Sequence, residues 1–127
     1  MEGAIGAMIE FKLLEGVLVL RPNGPLTADD FHRIAQTVDP YLLDNGRLVG
    51  VLIDAPAFPG WESFGAFIEH MKFVRDHHEN IERIAVATDS EILKLAPRFA
   101  EHFAHPVFKV FRSGDIDAAL AWLETGT

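Results

Sequence analysis

The spacing of apolar and polar residues along the chain predicts two strands near its N-terminus and three more farther along. Residues 8–13 alternate apolar and charged side chains, and residues 17–20 form an apolar run after a break at Glu15 and Gly16. The alternation is typical of a strand with one buried face, and the short break indicates an antiparallel hairpin. Three later apolar runs predict further strands at residues 48–53, 81–88 and 107–111.

Four segments show the spacing of amphipathic helices. The first begins after Thr27, a good N-cap, and Pro40 should end its regular part or start a tighter last turn. The second runs from Trp61 to about residue 77. The third begins at Ser90 and contains Pro97, which should kink or split it. The fourth begins after residue 113 or 115, where a serine and an aspartate can each cap a helix.

This order predicts an α/β fold of the form ββαβαβαβα. Strands separated by helices pair in parallel through right-handed crossovers. The expected architecture is a mainly parallel five-stranded sheet with an antiparallel edge strand and four helices. The length of 127 residues predicts one domain over residues 8–127, preceded by an N-terminal extension at residues 1–7.

Composition excludes several classes of function. The formal net charge of −8 argues against nucleic acid as a partner, because phosphate binding needs a basic surface. The absence of cysteine excludes a disulfide framework, a thiolate metal site and a cysteine nucleophile. No run approaches the roughly 20 apolar residues that span a bilayer. Since residues 1–7 also make a poor signal peptide, we expect a cytoplasmic protein.

Two carboxylates stand where a crevice could form. Asp54 and Asp89 each follow a predicted parallel strand, and ligands of such sheets bind beyond the carboxyl ends of the strands. Two acids could help to hold Mg²⁺. The alternative is that each carboxylate accepts hydrogen bonds from backbone amides at its turn. Since a third ligand, a lysine base and a phosphate loop are missing, we expect no catalytic residues, metal or cofactor.

Six histidines offer no metal-binding spacing. His70 and His77 are seven residues apart, too far along a helix for one ion, and a second pair straddles a predicted helix end. We therefore expect exposed or helix-capping histidines rather than metal ligands. The full set is His32, His70, His77, His78, His102 and His105.

The most informative segment is the proline-bounded loop that carries Phe58 and Trp61. Its aromatic rings either tuck back onto the second helix and the sheet or form an exposed contact for a protein, a second subunit or a lipid tail. Phe64, Phe67 and Met71 of the following helix extend the same candidate binding surface. They could also line a pocket for a small hydrophobic ligand between that helix and the sheet.

A series of short motifs along the chain resembles the SpoIIAA-like family, a largely uncharacterised bacterial family related to STAS domains. Each motif is weak alone, but together they cover most of residues 8–123 in order. The motifs are Met8-Ile9-Glu10, residues 24–31 (GPLTADDF), residues 58–61 (FPGW), Lys72-Phe73, residues 81–89 (IERIAVATD) and residues 118–123 (AALAWL).

The resemblance implies a small cytoplasmic protein with a STAS-like fold. STAS antagonists carry a phosphorylated serine at the start of the helix after the third strand, and Ser63 corresponds to it by topology. The preceding Asp-Ser pair of that pattern is absent here, and Glu62 precedes Ser63. The alternative for Ser63 is a helix cap.

We expect a non-enzymatic, STAS-like interaction or regulatory module that forms a homodimer through the 55–64 loop and the second helix. Its protein partner is unknown. The alternatives are a carrier of a small hydrophobic or lipid ligand and an unrecognised enzyme that uses Asp54 and Asp89.

Overall fold

A computed structural model of the chain describes residues 8–99, 101 and 105–126, which form a five-stranded sheet flanked by helices. The predicted extension at residues 1–7 lies outside the described residues. Short 3₁₀ turns, His78–Asn80 and Leu93–Leu95, precede the fourth strand and the third helix. In chain order the elements are β1 (Ile9–Leu14), β2 (Val17–Pro22), α1 (Ala28–Asn45), β3 (Leu48–Asp54), α2 (Phe64–His77), β4 (Ile81–Ala87), α3 (Ala96–Phe99), β5 (Val107–Phe111) and α4 (Ile116–Thr125).

The strands lie side by side in their chain order, β1-β2-β3-β4-β5. β1 pairs antiparallel with β2, and every other neighbouring pair is parallel. The predicted fold class is therefore confirmed, including the antiparallel strand at the edge. Because each helical crossover advances by one strand in the same direction, right-handed connections place α1 and α2 on the same face of the sheet.

The two faces of the sheet have separate cores. Leu18, Ile34 and Val51 belong to the core under α1 and α2, whereas Leu52 and Leu123 belong to the core under α4. A Cβ atom at Gly50 would lie 2.7 Å from Leu123 Cδ2, so the glycine allows α4 to pack close to β3. One short helix thus covers the second face, and two longer helices cover the first.

The start of α1 is fastened by a buried carboxylate, Asp30. Its side chain is fully buried and accepts hydrogen bonds from the backbone amides of Met8, Ile9 and Thr27 at 2.8–3.1 Å. The Thr27 side chain accepts from the Asp30 amide in return, which completes a capping box. Burial alone would raise the pKa of Asp30, but these bonds and one from Arg33 outweigh it and lower the pKa.

The second helix begins later than the sequence pattern predicts. Trp61, placed at its start by periodicity, instead forms a parallel β-bridge with Leu26. The helix begins at Phe64, and Ser63 is its N-cap, with Oγ accepting from the Ala66 amide at 3.1 Å. Trp61 fits the helical spacing because its ring packs against Phe67 and His70 of α2, although its backbone is not helical.

The two helix prolines differ in their effect. The prediction that Pro40 ends the regular part of α1 or starts a tighter last turn is wrong on both counts, because the α-helix continues to Asn45. Burial of the next turn explains this, since Tyr41 and Leu42 pack against the core. Pro97 lies in the first turn of the short α3, where its missing N–H costs little. Among the described residues, the third helical segment is split near the proline into a 3₁₀ turn, Leu93–Leu95, and α3, as the sequence predicts.

Candidate interaction surface

The loop between β3 and α2 is pinned to the segment that precedes α1. The Leu26 amide donates to the Gly60 carbonyl, and the Glu62 amide donates to the Leu26 carbonyl, each at 2.8 Å. Both bonds flank Trp61, the residue that forms the bridge with Leu26. The loop backbone is therefore fixed, and its aromatic side chains have defined directions.

Trp61 is linked to α1 by His70, which contacts both Trp61 and Phe31. Its Nε1–H donates to His70 Nδ1 at 3.1 Å, and the imidazole stacks on Phe31 with 4.6 Å between ring centroids. Because an indole N–H can only donate, Nδ1 must accept, so the neutral ring carries its proton on Nε2. Burial lowers the pKa of His70 to about 4. At neutral pH the histidine is therefore a fixed acceptor that anchors the tryptophan.

Other aromatic side chains of the loop and α2 continue outward from Trp61. Phe58 meets its ring edge-on at 5.5 Å, and Phe67 does so at 4.9 Å. Phe64 then stacks on Phe67 at 6.0 Å. Phe58 is 38% exposed and Phe64 is 76% exposed. The loop thus combines both predicted alternatives, because the tryptophan is half-buried while the two outer phenylalanines face solvent.

The exposed apolar surface extends along α2. Met71, one turn beyond Phe67, is 40% exposed. We call the five residues predicted as a binding surface the aromatic patch, and the structure places all of them on the loop and α2. Its members are Phe58, Trp61, Phe64, Phe67 and Met71.

The inner side of α2 is held to α1 by histidines. His77 is buried, with Nε2 2.7 Å from Asp39 Oδ1 and Nδ1 2.8 Å from the Phe73 carbonyl. Both ring nitrogens of His77 therefore lie within hydrogen-bond distance of an oxygen atom, one on α1 and one on α2 itself. His32 of α1 also bonds Glu69 of α2 at 3.1 Å, and this bond lowers the pKa of Glu69.

The prediction of exposed or capping histidines is therefore wrong for His70 and His77, which pack between the two helices. The signal was present in their spacing, because residues seven apart lie on the same face of a helix. Ala66 and Phe73 share that face, which identifies it as the inner one. His102 lies outside the described residues.

Ser63 fits the helix-cap alternative. Its Oγ accepts from the Ala66 amide, which is the bond that an N-cap makes to satisfy a free amide of the first turn. The residue is exposed, and whether it is phosphorylated stays a prediction.

The two candidate carboxylates have separate partners. Asp54 Oδ2 accepts from Arg21 Nε at 2.9 Å, and Asp89 Oδ1 accepts from the Ser113 amide at 3.4 Å. Asp89 thus makes the kind of backbone contact that the turn alternative predicts, whereas Asp54 makes an ion pair that the sequence did not indicate. Within residues 8–99, 101 and 105–126, no three histidine or acidic side chains lie close enough to hold a metal ion.

Among the described residues, no helix is both long and apolar enough to cross a bilayer.

The sheet order and helix placement define the class of α/β domains with a SpoIIAA-like fold. A similar arrangement occurs in the crystal structure of an uncharacterised protein of the DUF3478 family from Shewanella loihica PV-4, which has a SpoIIAA-like fold. That chain superimposes with a TM-score of 0.65 at 24% sequence identity, and the match covers 91% of each chain. This likeness concerns the fold alone.

The chain belongs to the SpoIIAA-like family, whose sequence model matches residues 17–124. The family resemblance expected from the motifs is thus confirmed. No curated protein matches the chain significantly.

Proposed function

We propose that the chain is a non-enzymatic interaction or regulatory module and that the aromatic patch is its contact surface. The observation that carries this proposal is the exposure of Phe64, whose ring stacks on Phe67. Phe67 in turn meets Trp61, and Trp61 meets Phe58, so the four rings form a continuous row. Burying one such side chain contributes roughly 2 kcal/mol. Contiguous exposed aromatic groups of this kind mark interaction sites. The expected cytoplasmic location and the absence of catalysis remain part of the proposal.

The rigidity of the patch supports the same function. Trp61 is held by backbone bonds on both sides and by its hydrogen bond to His70. A surface that is already ordered loses little conformational entropy when a partner binds. The partners of Asp54 and Asp89 also favour contact over catalysis, because neither carboxylate is presented alone to a shared crevice.

The test is a comparison of Phe64→Glu with Leu43→Glu. Leu43 lies on α1 and is 87% exposed, so both variants place a carboxylate on an exposed apolar site of the same face. Each tagged variant is used to capture proteins from the native cell. A partner retained by wild type and Leu43→Glu but lost by Phe64→Glu supports the proposal. A partner retained equally by both variants contradicts it.

A second candidate function is the binding of a small apolar ligand on the opposite face of the sheet. A groove of about 220 Å³ lies there between the β1–β2 hairpin and α4. Its apolar lining includes Val17, Val19 and Leu120, and the charged residues Lys12 and Glu124 also line it. This differs from the predicted pocket between α2 and the sheet. Native mass spectrometry would show an adduct that Val19→Trp removes, and a bare chain mass after gentle purification counts against this function.

A further inference from the structure

The outer side of α2 carries two kinds of side chain, separated along the helix. Taking the buried Ala66 as the inner direction, 100° per residue places Phe64, Ile68, Met71 and Arg75 on the outer half. Phe67 and Lys72 lie at the borders of that half. The aromatic residues stand near the beginning of the helix, and the two cations stand near its end.

These positions are symmetric about one point, the midpoint between Glu69 and His70. The exposed aromatic residue Phe64 has a cation, Arg75, at the same distance on the other side of this midpoint, and the aliphatic residues Ile68 and Met71 mirror one another. The surface is therefore complementary to itself after a half-turn, as a two-fold interface requires. The mirrored pairs are Phe64 with Arg75 and Ile68 with Met71, whereas Phe67 and Lys72 lie on opposite flanks of the helix and do not meet in this arrangement.

The geometry of Arg75 suits contact with an aromatic ring. Its Nε and Nη2 donate to the two carboxylate oxygens of Asp76 at 2.9 and 3.4 Å. This contact uses one edge of the guanidinium rather than its flat faces, and both side chains are exposed. A guanidinium face stacked on phenylalanine gains from cation–π attraction.

We propose that the chain forms a two-fold dimer in which α2 packs antiparallel against α2 of a second copy. Phe64 of each copy lies against Arg75 of the other, and Ile68 lies against Met71. This inference rests on the proposed function of the aromatic patch and names a second copy as its occupant. The antiparallel arrangement also opposes the two helix dipoles. Repulsion from the net charge of −8 is screened beyond about 8 Å at physiological ionic strength.

Cysteine cross-linking tests the dimer cleanly, because the chain has no cysteine. We expect an equimolar mixture of Phe64→Cys and Arg75→Cys to form a disulfide-linked dimer on mild oxidation. Neither variant alone should do so, since in the antiparallel pair the two copies of residue 64 are about 16 Å apart along the axis. Disulfides require Cα atoms within about 7 Å. In the mixed dimer the disulfide replaces one of the two symmetric contacts. The other contact, between Phe64 of the Arg75→Cys copy and Arg75 of the Phe64→Cys copy, is unaltered.

The matched control is a mixture of Leu43→Cys with Arg75→Cys, which should remain unlinked. Circular dichroism confirms that each exposed-site variant is folded. Wild type should sediment as a dimer of the 14.1 kDa chain, and Phe64→Glu should sediment as a monomer. A disulfide in Phe64→Cys alone, an equal yield in the control mixture, or a monomeric wild type overturns the proposal. If wild type is monomeric but Phe64→Glu still loses a captured partner, only the dimer fails and the interaction function stands.

Discussion

The two helices on the first face of the sheet, α1 and α2, make opposite use of their apolar residues. α1 buries Phe31, Ile34 and Val38 against the sheet. α2 fully buries only Ala66 and His77, and it leaves Phe64 and Met71 exposed. The same residue type, phenylalanine, is therefore a core residue on one helix and a surface residue on its neighbour.

The comparison distinguishes a helix that stabilises the fold, α1, from a helix that exposes apolar side chains, α2. α1 is fixed by the buried Asp30 network and by its core side chains. α2 contacts α1 through polar pairs such as His77 with Asp39 and His32 with Glu69.

The rings of His70 and Phe73 on α2 also pack on Phe31 of α1. Among the described residues, the outer side chains of α2, Phe64 and Met71, remain exposed, which is the exposure that the proposed contact surface requires.

The largest expected contrast is between two phenylalanine truncations. Phe31→Ala should lower the free energy of unfolding by about 3–5 kcal/mol, because it leaves a cavity in the core. Phe64→Ala should change it by less than about 0.5 kcal/mol, as exposed substitutions do. Urea unfolding of dilute protein, at a concentration where the proposed dimer would be dissociated, measures both values. Similar losses at the two positions would show that α2 packs as a core helix.

A smaller effect concerns the hydrogen bond that anchors Trp61. The pKa of His70 is about 4 in the folded protein against an ordinary value of 6.5. The unfolded chain therefore binds more protons between these values, and the free energy of unfolding falls as the pH falls from about 6.5 to 4. The expected loss is on the order of 2–3 kcal/mol.

This pH dependence can be assigned by substitution. His70→Gln keeps a hydrogen-bond acceptor but cannot titrate, so its unfolding free energy should fall much less over that interval. The control, His32→Gln, removes an exposed histidine of α1 and should retain the wild-type loss. If His70→Gln follows the wild-type curve, the buried neutral histidine is not the anchor described above.

The sequence predicts the architecture because each strand and crossover has a strong local pattern. The Thr27 cap and the alternation of residues 8–13 suffice for the start of α1 and for the edge strand. The start of α2 could not be found in this way, since the bridge between Trp61 and Leu26 joins residues far apart in the chain. The extent of α1 past Pro40 depends on the burial of Tyr41 and Leu42, which the proline rule does not include.

The candidate site is predictable in its members but not in their directions. Periodicity and the proline-bounded loop select Phe58, Trp61 and Phe64, yet only the structure shows that Trp61 turns inward to His70. Histidine positions alone do not reveal a stacking partner such as Phe31. The ion pair of Asp54 with Arg21 likewise depends on the parallel pairing of β2 with β3.

The most direct test of the contact surface is photo-cross-linking in the native cell. A photoreactive phenylalanine derivative is placed at Phe64 in one strain and at Leu43, the more exposed site on α1, in another. The account predicts a covalent adduct, either with a second copy or with another protein, from position 64 and none from position 43. No adduct from position 64, or equal adducts from both positions, would contradict it.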